Sequence, residues 1–474
     1  MAQLHDLTAL ETAAAVRGGE VSPTELVEHY LDRIDRLDGE LGAFVTLTPD
    51  SARAQAREAE QRLRDDGDAV PPLLGVPTAI KDLNMVAGVP ARLGSAAFAD
   101  VVPEHDDNVV RLLRDAGTIS LGKTSTPELG LPCYTETDIG PPARTPWDTS
   151  RLAGGSSGGA AAAVAGGLIP IAQGSDGGGS IRIPASVCGL VGLKPTRGRV
   201  SRGPLDLDAT RLSVLGPLAH TVRDAAAFLD AVAIPQPGDP DRLQRPEGTF
   251  LQACDRPTGP LRIGRYLDSP MDSEVEPEVR QVWEDATALL VSMGHEIEDV
   301  GPPIPPEAVP SFETVWAVSA ATAPVPPDRE PLLRPLTRYL RERGRAVSGA
   351  QFAGALGQLA VHARRGMAAS AHLDAVLTPT VAMTPRPIGW FQGDDPDDAA
   401  ADFERQKRFT PFTAIYNTTG QPAISLPLGT SADGLPIGVM LVGRFGDEAA
   451  LLSLAAAVEA AAPWRDRHPP IWTA

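Results

Sequence analysis

The sequence predicts an α/β fold, a mostly buried sheet with helices on its faces. Three observations carry this reading. Short apolar runs alternate with small-residue helical segments between Pro71 and Pro204, the pattern of strands covered on both sides. The same alternation returns after Asn417, so strands are expected from both ends of the chain. Apolar residues make up 42% and charged residues 22% of the 474, which fits a folded globular chain and sets aside disordered and fibrous classes.

Two amphipathic helices are expected to open the chain. The second starts at Ser22-Pro23-Thr24-Glu25, where Ser22 can cap, Pro23 suits the first turn and Glu25 completes a capping box. Further on, 107–117 reads as a helix, 118–122 as a strand, 157–166 as a helix and 168–174 as a strand. The Pro- and Gly-rich stretches 234–260 and 301–331 read as long loops around helices, the second a candidate lid or pocket wall. Residues 421–428 and 437–442 read as buried strands, and Asp447 opens an Ala- and Leu-rich helix to Ala462. No internal repeat interrupts this order, so one α/β domain is the simplest organisation.

The net charge of -19 opposes binding to nucleic acid or to an anionic membrane, since either requires a basic surface. Three scattered cysteines, Cys133, Cys188 and Cys254, make neither a disulfide framework nor a CxxC metal site. A cytoplasmic setting follows, because the start of the chain lacks a secretory signal and no apolar run is long enough to span a bilayer. No metal and no cofactor are expected. Only four lysines occur, Lys81, Lys123, Lys194 and Lys407, so lysine chemistry has few candidates.

Four motifs compete for the chemistry. Gly117 to Thr124 satisfies the P-loop spacing GxxxxGK[ST], yet it follows a helix and its interior is strand-like, the reverse of a phosphate cradle. Ser120 and Lys123 match SxxK, but three residues apart on a strand they face opposite ways. Ser156 and Ser157 each centre a GxSxG, without an upstream strand and without a histidine in a glycine-rich loop. The fourth pattern joins distant pieces: Gly75-Val-Pro-Thr-Ala-Ile-Lys81-Asp82, Gly154-Gly-Ser156-Ser157-Gly-Gly159, and Gly174-Ser-Asp176-Gly-Gly-Gly-Ser180-Ile-Arg182-Ile-Pro184.

This last set resembles the amidase signature family, and the likeness runs on through Cys188-Gly-Leu-Val-Gly-Leu-Lys-Pro-Thr196 and Asn417-Thr-Thr-Gly-Gln-Pro-Ala423. The separations, 75 residues from Lys81 to Ser156 and 24 from Ser156 to Ser180, are those the family shows. Thr145 before Pro146-Trp147 departs from the family's Asn-Pro-Trp run. The resemblance implies the amidase signature fold, a central mixed β-sheet covered by helices on both faces, in one domain spanning 1–474. Within it, 1–65 would hold N-terminal helices, 71–204 the catalytic core, 300–410 a variable pocket or lid region, and 417–474 the strands and helix that complete the core.

The resemblance further implies a Ser-cisSer-Lys triad of Ser180, Ser156 and Lys81 that cleaves amides through an acyl-enzyme. Amides are poor electrophiles with a poor leaving group, so a catalyst must activate a nucleophile, hold an oxyanion and protonate nitrogen. Backbone N–H groups of Gly177, Gly178, Gly179 and Ser180 are the expected oxyanion donors, since glycines let amides converge. Lys81 must be neutral to act as a base, and its apolar neighbours Val76 and Ile80 make burial the means. Ser157, Asp176 and Arg182 are expected to support the loops through hydrogen bonds and an ion pair, and Lys194 to be structural. Gly177 stands where the family has a larger residue, which points to a wider acyl pocket or a looser loop. Trp316, Trp390 and Phe391 are candidates for the pocket border.

The expected partner is a small-molecule amide; carbamates and esters are open to the same triad, as in a urethanase, and the sequence leaves room for a homo-oligomer. The runner-up within the family is the glutamine-hydrolysing component of a tRNA-dependent amidotransferase, in which Ile-Arg-Gln-Pro follows the nucleophile; here the run is Ile181-Arg182-Ile183-Pro184. A non-catalytic nucleotide-binding module rests on the P-loop match alone.

Overall fold

Strands Phe44–Leu47 (β1), Pro77–Lys81 (β2) and Ile119–Thr124 (β3) form a three-stranded sheet in the order β1-β3-β2. A computed structural model provides these positions and describes residues 3–206, 208–241, 243–271 and 273–473. Met1 and Ala474, the ends of the single-domain reading, and residue 242 of the first Pro/Gly-rich stretch lie outside the described residues. The larger sheet comprises Ile171–Asp176 (β4), Val191–Lys194 (β5), Val214–Ala219 (β6), Arg262–Arg265 (β7), Glu296–Asp299 (β8), Ala375–Pro379 (β9), Ala423–Thr430 (β10) and Pro436–Gly443 (β11).

Its order is β4-β6-β5-β10-β11-β9-β7-β8. From β4 to β9 every pairing is antiparallel, and β9, β7 and β8 run parallel, so the sheet is mixed. The C-terminal β10 and β11 are its middle strands, flanked by β5 and β9. Every residue of β4, β5, β6, β9 and β11 is buried, as strands covered by helices on their faces must be. The two sheets meet where β2 lies against β4. Thr78 Oγ1 donates to the Ile171 carbonyl at 3.0 Å, and the Lys81 amide donates to Gln173 Oε1 at 2.9 Å.

Local signals explain several boundaries. Ser22 caps the helix Pro23–Leu41 with the expected box: its Oγ accepts from the Glu25 amide at 3.1 Å, and its own amide donates to Glu25 Oε2 at 2.8 Å. A third helix, Pro49–Asp66, follows the two expected at this end. The strand read as 168–174 begins only at Ile171 because Pro170 has no N–H to give a ladder. Its neighbour in the sequence reading, 118–122, extends to Thr124: at Gly122 a Cβ would sit 2.2 Å from the Thr46 carbonyl oxygen, so the missing side chain lets β1 pair closely there. The 301–331 stretch is less loop-like than its prolines imply, since Val309–Thr322 is a 14-residue helix. Pro310 falls in its first turn, where a missing N–H costs nothing.

Candidate active site

Lys81 closes β2 and is fully buried. Its Nζ lies in hydrogen-bond contact with Ser156 Oγ at 2.8 Å, Ser157 Oγ at 2.9 Å and Ser175 Oγ at 3.0 Å. Burial pushes its pKa well below that of a free lysine, and the charge on Asp176 pulls back against this. Asp82, the next residue, takes no part: its carboxylate pairs with buried Lys123 at 2.8 Å. The pairing with Lys123 therefore occupies the adjacent carboxylate, which does not hold Lys81 charged.

Ser156 lies in a glycine loop tightly packed on its surroundings, and the Gly155–Ser156 peptide is cis. A Cβ on Gly155 would come within 2.7 Å of the Tyr134 amide nitrogen, and one on Gly159 within 2.4 Å of the Ser125 nitrogen. Only glycine lets the backbones approach so closely. Ser157 Oγ donates to the Ser175 carbonyl at 3.2 Å, and its amide donates to the Ser180 carbonyl at 3.1 Å, which ties this loop to the next.

Ser180 sits between the end of β4 and the helix Arg182–Cys188. Fully buried Asp176 is the pivot of this turn. Its carboxylate accepts from the amides of Gly179 (2.8 Å) and Ile181 (3.2 Å), from Arg182 Nε (2.9 Å) and Nη2 (2.8 Å), and from Asn417 Nδ2 (2.9 Å). Burial opposes the charge, but the Arg182 guanidinium outweighs it and holds the carboxyl below the usual carboxylate range.

One expected oxyanion donor needs correction. The Gly179 N–H is directed at Asp176, so it is occupied within the turn. Among the described residues no hydrogen bond engages the amides of Gly177, Gly178 and Ser180. Ser180 Oγ likewise has no hydrogen-bond partner among them, so the Lys81–Ser156 contact is closed and the Ser156–Ser180 contact is open in this structure. Ser180 faces a cavity of about 110 Å³ lined largely by apolar side chains, among them Leu131, Ile183, Met271, Phe312, Trp316 and Phe403. Glu313 and Lys407 are the charged side chains on its wall among the described residues, and they pair with one another at 2.6 Å.

A family model described as Amidase matches residues 25–452. The chain belongs to the amidase signature family. Its relatives include the 6-aminohexanoate-cyclic-dimer hydrolase of Paenarthrobacter ureafaciens, 36% identical over 97% of this chain and 96% of that protein. The acylamidase of Rhodococcus erythropolis is 34% identical over 98% of each chain. A glutamyl-tRNA(Gln) amidotransferase component from Thioalkalivibrio sulfidiphilus is 35% identical over 98% of this chain and 99% of its own length. Among solved structures, a 6-aminohexanoate cyclic dimer hydrolase complexed with substrate superposes with a TM-score of 0.91 at 34% identity, covering 99% of each chain. This amidase-signature chain is thus a hydrolase acting on amides.

Against the sequence reading, the amidase fold gathers Lys81, Ser156 and Ser157 into direct contact and sets Ser180 beside them through its carbonyl. Asp176 and Arg182 form the expected ion pair at 2.8 Å, both fully buried. Lys194 is buried and donates to the Pro195 carbonyl. Trp316 lines the cavity and fills the space beside Gly177, where a Cβ would meet its ring at 3.5 Å; the wider pocket expected there is occupied by this indole. Trp390 and Phe391 are absent from the cavity wall, and Phe391 stacks on Tyr134 at 4.6 Å in the core. The helix Val309–Thr322 and residues 403–411 supply much of the wall.

The competing motifs do not assemble. Lys123 is spent on Asp82 within a strand. His220, one of the histidines downstream of the GxSxG matches, is bonded to the Val164 carbonyl and lowered by burial to about 4. Sequence reasoning missed Ser175 and assigned Asn417 no role, although Asn417 opens one of the runs that carry the resemblance. Among the described residues no group of three or more His, Cys, Asp or Glu could hold a metal ion, and no helix is long and apolar enough to cross a membrane.

Proposed function

We propose that this enzyme cleaves amides through nucleophilic attack by Ser180, with Ser156 and Lys81 as its proton relay. The observation that carries the reading is the buried lysine whose amine rests 2.8 Å from Ser156 Oγ beside the cavity that Ser180 faces. As Ser180 Oγ bonds to the carbonyl carbon, its proton passes to Ser156 Oγ and the Ser156 proton passes to neutral Lys81. The amides of Gly177, Gly178 and Ser180 receive the oxyanion. On collapse the C–N bond breaks, Ser156 protonates the leaving nitrogen and recovers a proton from Lys81. Water then attacks the acyl-enzyme by the same route in reverse, freeing the acid and Ser180.

The wall of the cavity favours neutral substrates with an apolar acyl or aryl portion, because its charged pair is already self-neutralised and a lone charge would be desolvated without a partner. Aryl amides and cyclic amides fit this description, and carbamates and esters are within reach of the same relay. Three free cysteines support a reducing, cytoplasmic setting.

The second reading, a glutamine-hydrolysing component of an amidotransferase, is favoured by the likeness to the Thioalkalivibrio protein and opposed by Ile183 and by the apolar cavity. Purified wild type and Ser180→Ala should be assayed alone against anilides, aliphatic and cyclic amides, carbamates and glutamine. Anilide or cyclic-amide hydrolysis lost in Ser180→Ala is the expected result. Hydrolysis of glutamine only, and only with added partner proteins, reverses the ranking; ATP binding without labelling of Ser180 by a serine-directed reagent returns the non-catalytic reading.

A further inference from the structure

The glycine run before Ser180 presents a mechanical problem. Glycines let amides converge, but they also let each peptide plane rotate almost freely, and misaimed donors stabilise nothing. The unit joining Gly178 to Gly179 is held at both of its ends. Its N–H donates to Asp176 Oδ1 at 2.8 Å, and its carbonyl oxygen accepts from Thr413 Oγ1 at 2.6 Å.

Thr413 precedes the helix Ala414–Thr419 and is fully buried. Its own carbonyl accepts from Arg182 Nη1 at 2.9 Å, while Arg182 holds Asp176. The bonds therefore close a circuit that runs from Thr413 to Gly178, through the peptide to Gly179, then to Asp176, Arg182 and back to Thr413. Asn417 braces it, donating to Asp176 and accepting from Arg182 Nη2 at 2.7 Å. Packing is equally tight. Gly179 has φ +133°, and a Cβ there would lie 2.3 Å from Thr413 Oγ1.

We propose that Thr413 is a positioning residue of the acyl-transfer site: its hydroxyl locks the Gly178–Gly179 peptide so that the flanking amides of Gly178 and Ser180 aim at one point. This rests on the Ser180 reading above. Both bonds hold one rigid plane, so a net turn about ψ of Gly178 or φ of Gly179, which would change the angle between the planes carrying the Gly178 and Ser180 amides, has to break the Thr413 bond as well as the Asp176 bond. The threonine hydroxyl adds this second restraint without touching the substrate or the proton relay.

Thr413→Val keeps the shape and deletes the donor; Thr413→Ser keeps the donor. Losing an oxyanion donor outright lowers kcat by about 10²- to 10³-fold. Misaiming a pair should give a smaller kcat loss, about 10-fold or more, with KM nearly unchanged. Ser should restore most of it. Because both an anilide and the phenyl ester of the same acid pass through an oxyanion, Thr413→Val should slow both alike. Ser156→Ala should spare the ester relative to the anilide, since a phenoxide leaves without protonation.

Wild-type kcat in Thr413→Val overturns the proposal, as does a loss that Thr413→Ser fails to restore, which would trace it to packing. A loss confined to KM overturns it too. Full activity in Ser180→Ala would instead overturn the underlying nucleophile assignment, so the two failures are told apart.

Discussion

Replacing Lys81 with methionine tests the relay most sharply, because the change keeps a long apolar side chain in a fully buried slot and removes only the amine. An unperturbed lysine, with a pKa of about 10.4, is neutral in fewer than about one molecule in 10³ near pH 7. Burial shifts this balance toward the free base, which is what a proton acceptor for Ser156 requires. A positioned general base contributes about 10²- to 10⁴-fold, so Lys81→Met should lose anilide turnover by that factor. Stability should move the other way. In the native state Lys81 sheds its proton more readily than in the unfolded chain, so between the two pKa values the unfolded state binds more protons and wild-type stability rises with pH. That contribution vanishes in the variant. The unfolding free energy of Lys81→Met relative to wild type should therefore be greatest at neutral pH and fall as pH approaches about 10.4. Initial rates on an anilide and urea titrations across this range measure both effects. Lys194, also buried and also lowered, is common to both proteins and cancels in the difference. Near-wild-type turnover by a folded Lys81→Met protein refutes the relay, and a stability difference that stays flat with pH refutes the depressed lysine.

Two glycines in one loop should behave oppositely. Gly177→Ala places its Cβ in ordinary contact with Trp316 at 3.5 Å and should retain activity within a few-fold, whereas Gly179→Ala meets Thr413 Oγ1 at 2.3 Å at a φ of +133° and should lose about 10²-fold or more in kcat; equal behaviour of the two in a steady-state assay contradicts the loop geometry. Arg182→Met strands buried Asp176 without two of its hydrogen bonds and should destabilise the fold by about 3–5 kcal/mol in urea unfolding. The sign with pH follows from the depressed carboxyl: the wild-type advantage is present above the unfolded value of about 3.9 and is lost as pH falls, so the deficit of the variant should shrink in acid.

Much of the frame was legible along the chain. The Ser22 capping box, the apolar runs of β10 and β11, and the Asp447 cap depend on residues within a few positions of one another, and backbone periodicity reports them directly. The spacing of Lys81, Ser156 and Ser180 was likewise readable, as a resemblance. The 301–331 stretch read as loops around helices, and Val309–Thr322 is such a helix, since a proline in the first turn breaks nothing. Trp390 and Phe391 could not be told from pocket aromatics, since core and cavity walls use the same side chains.

Protonation and satisfaction were decided only by the tertiary structure. Lys81 becomes a candidate base through burial among serines 75, 76 and 94 positions away. Asp82 is neutralised as a competitor by Lys123, 41 positions on. The donor expected from Gly179 is withdrawn by Asp176, which is itself held by Asn417 from 241 residues away. Residue types and loops are local properties that the sequence alone determined. Which amide is left free, and which amine loses its charge, depends on groups brought together from distant parts of the chain, because desolvation and hydrogen bonding act through space.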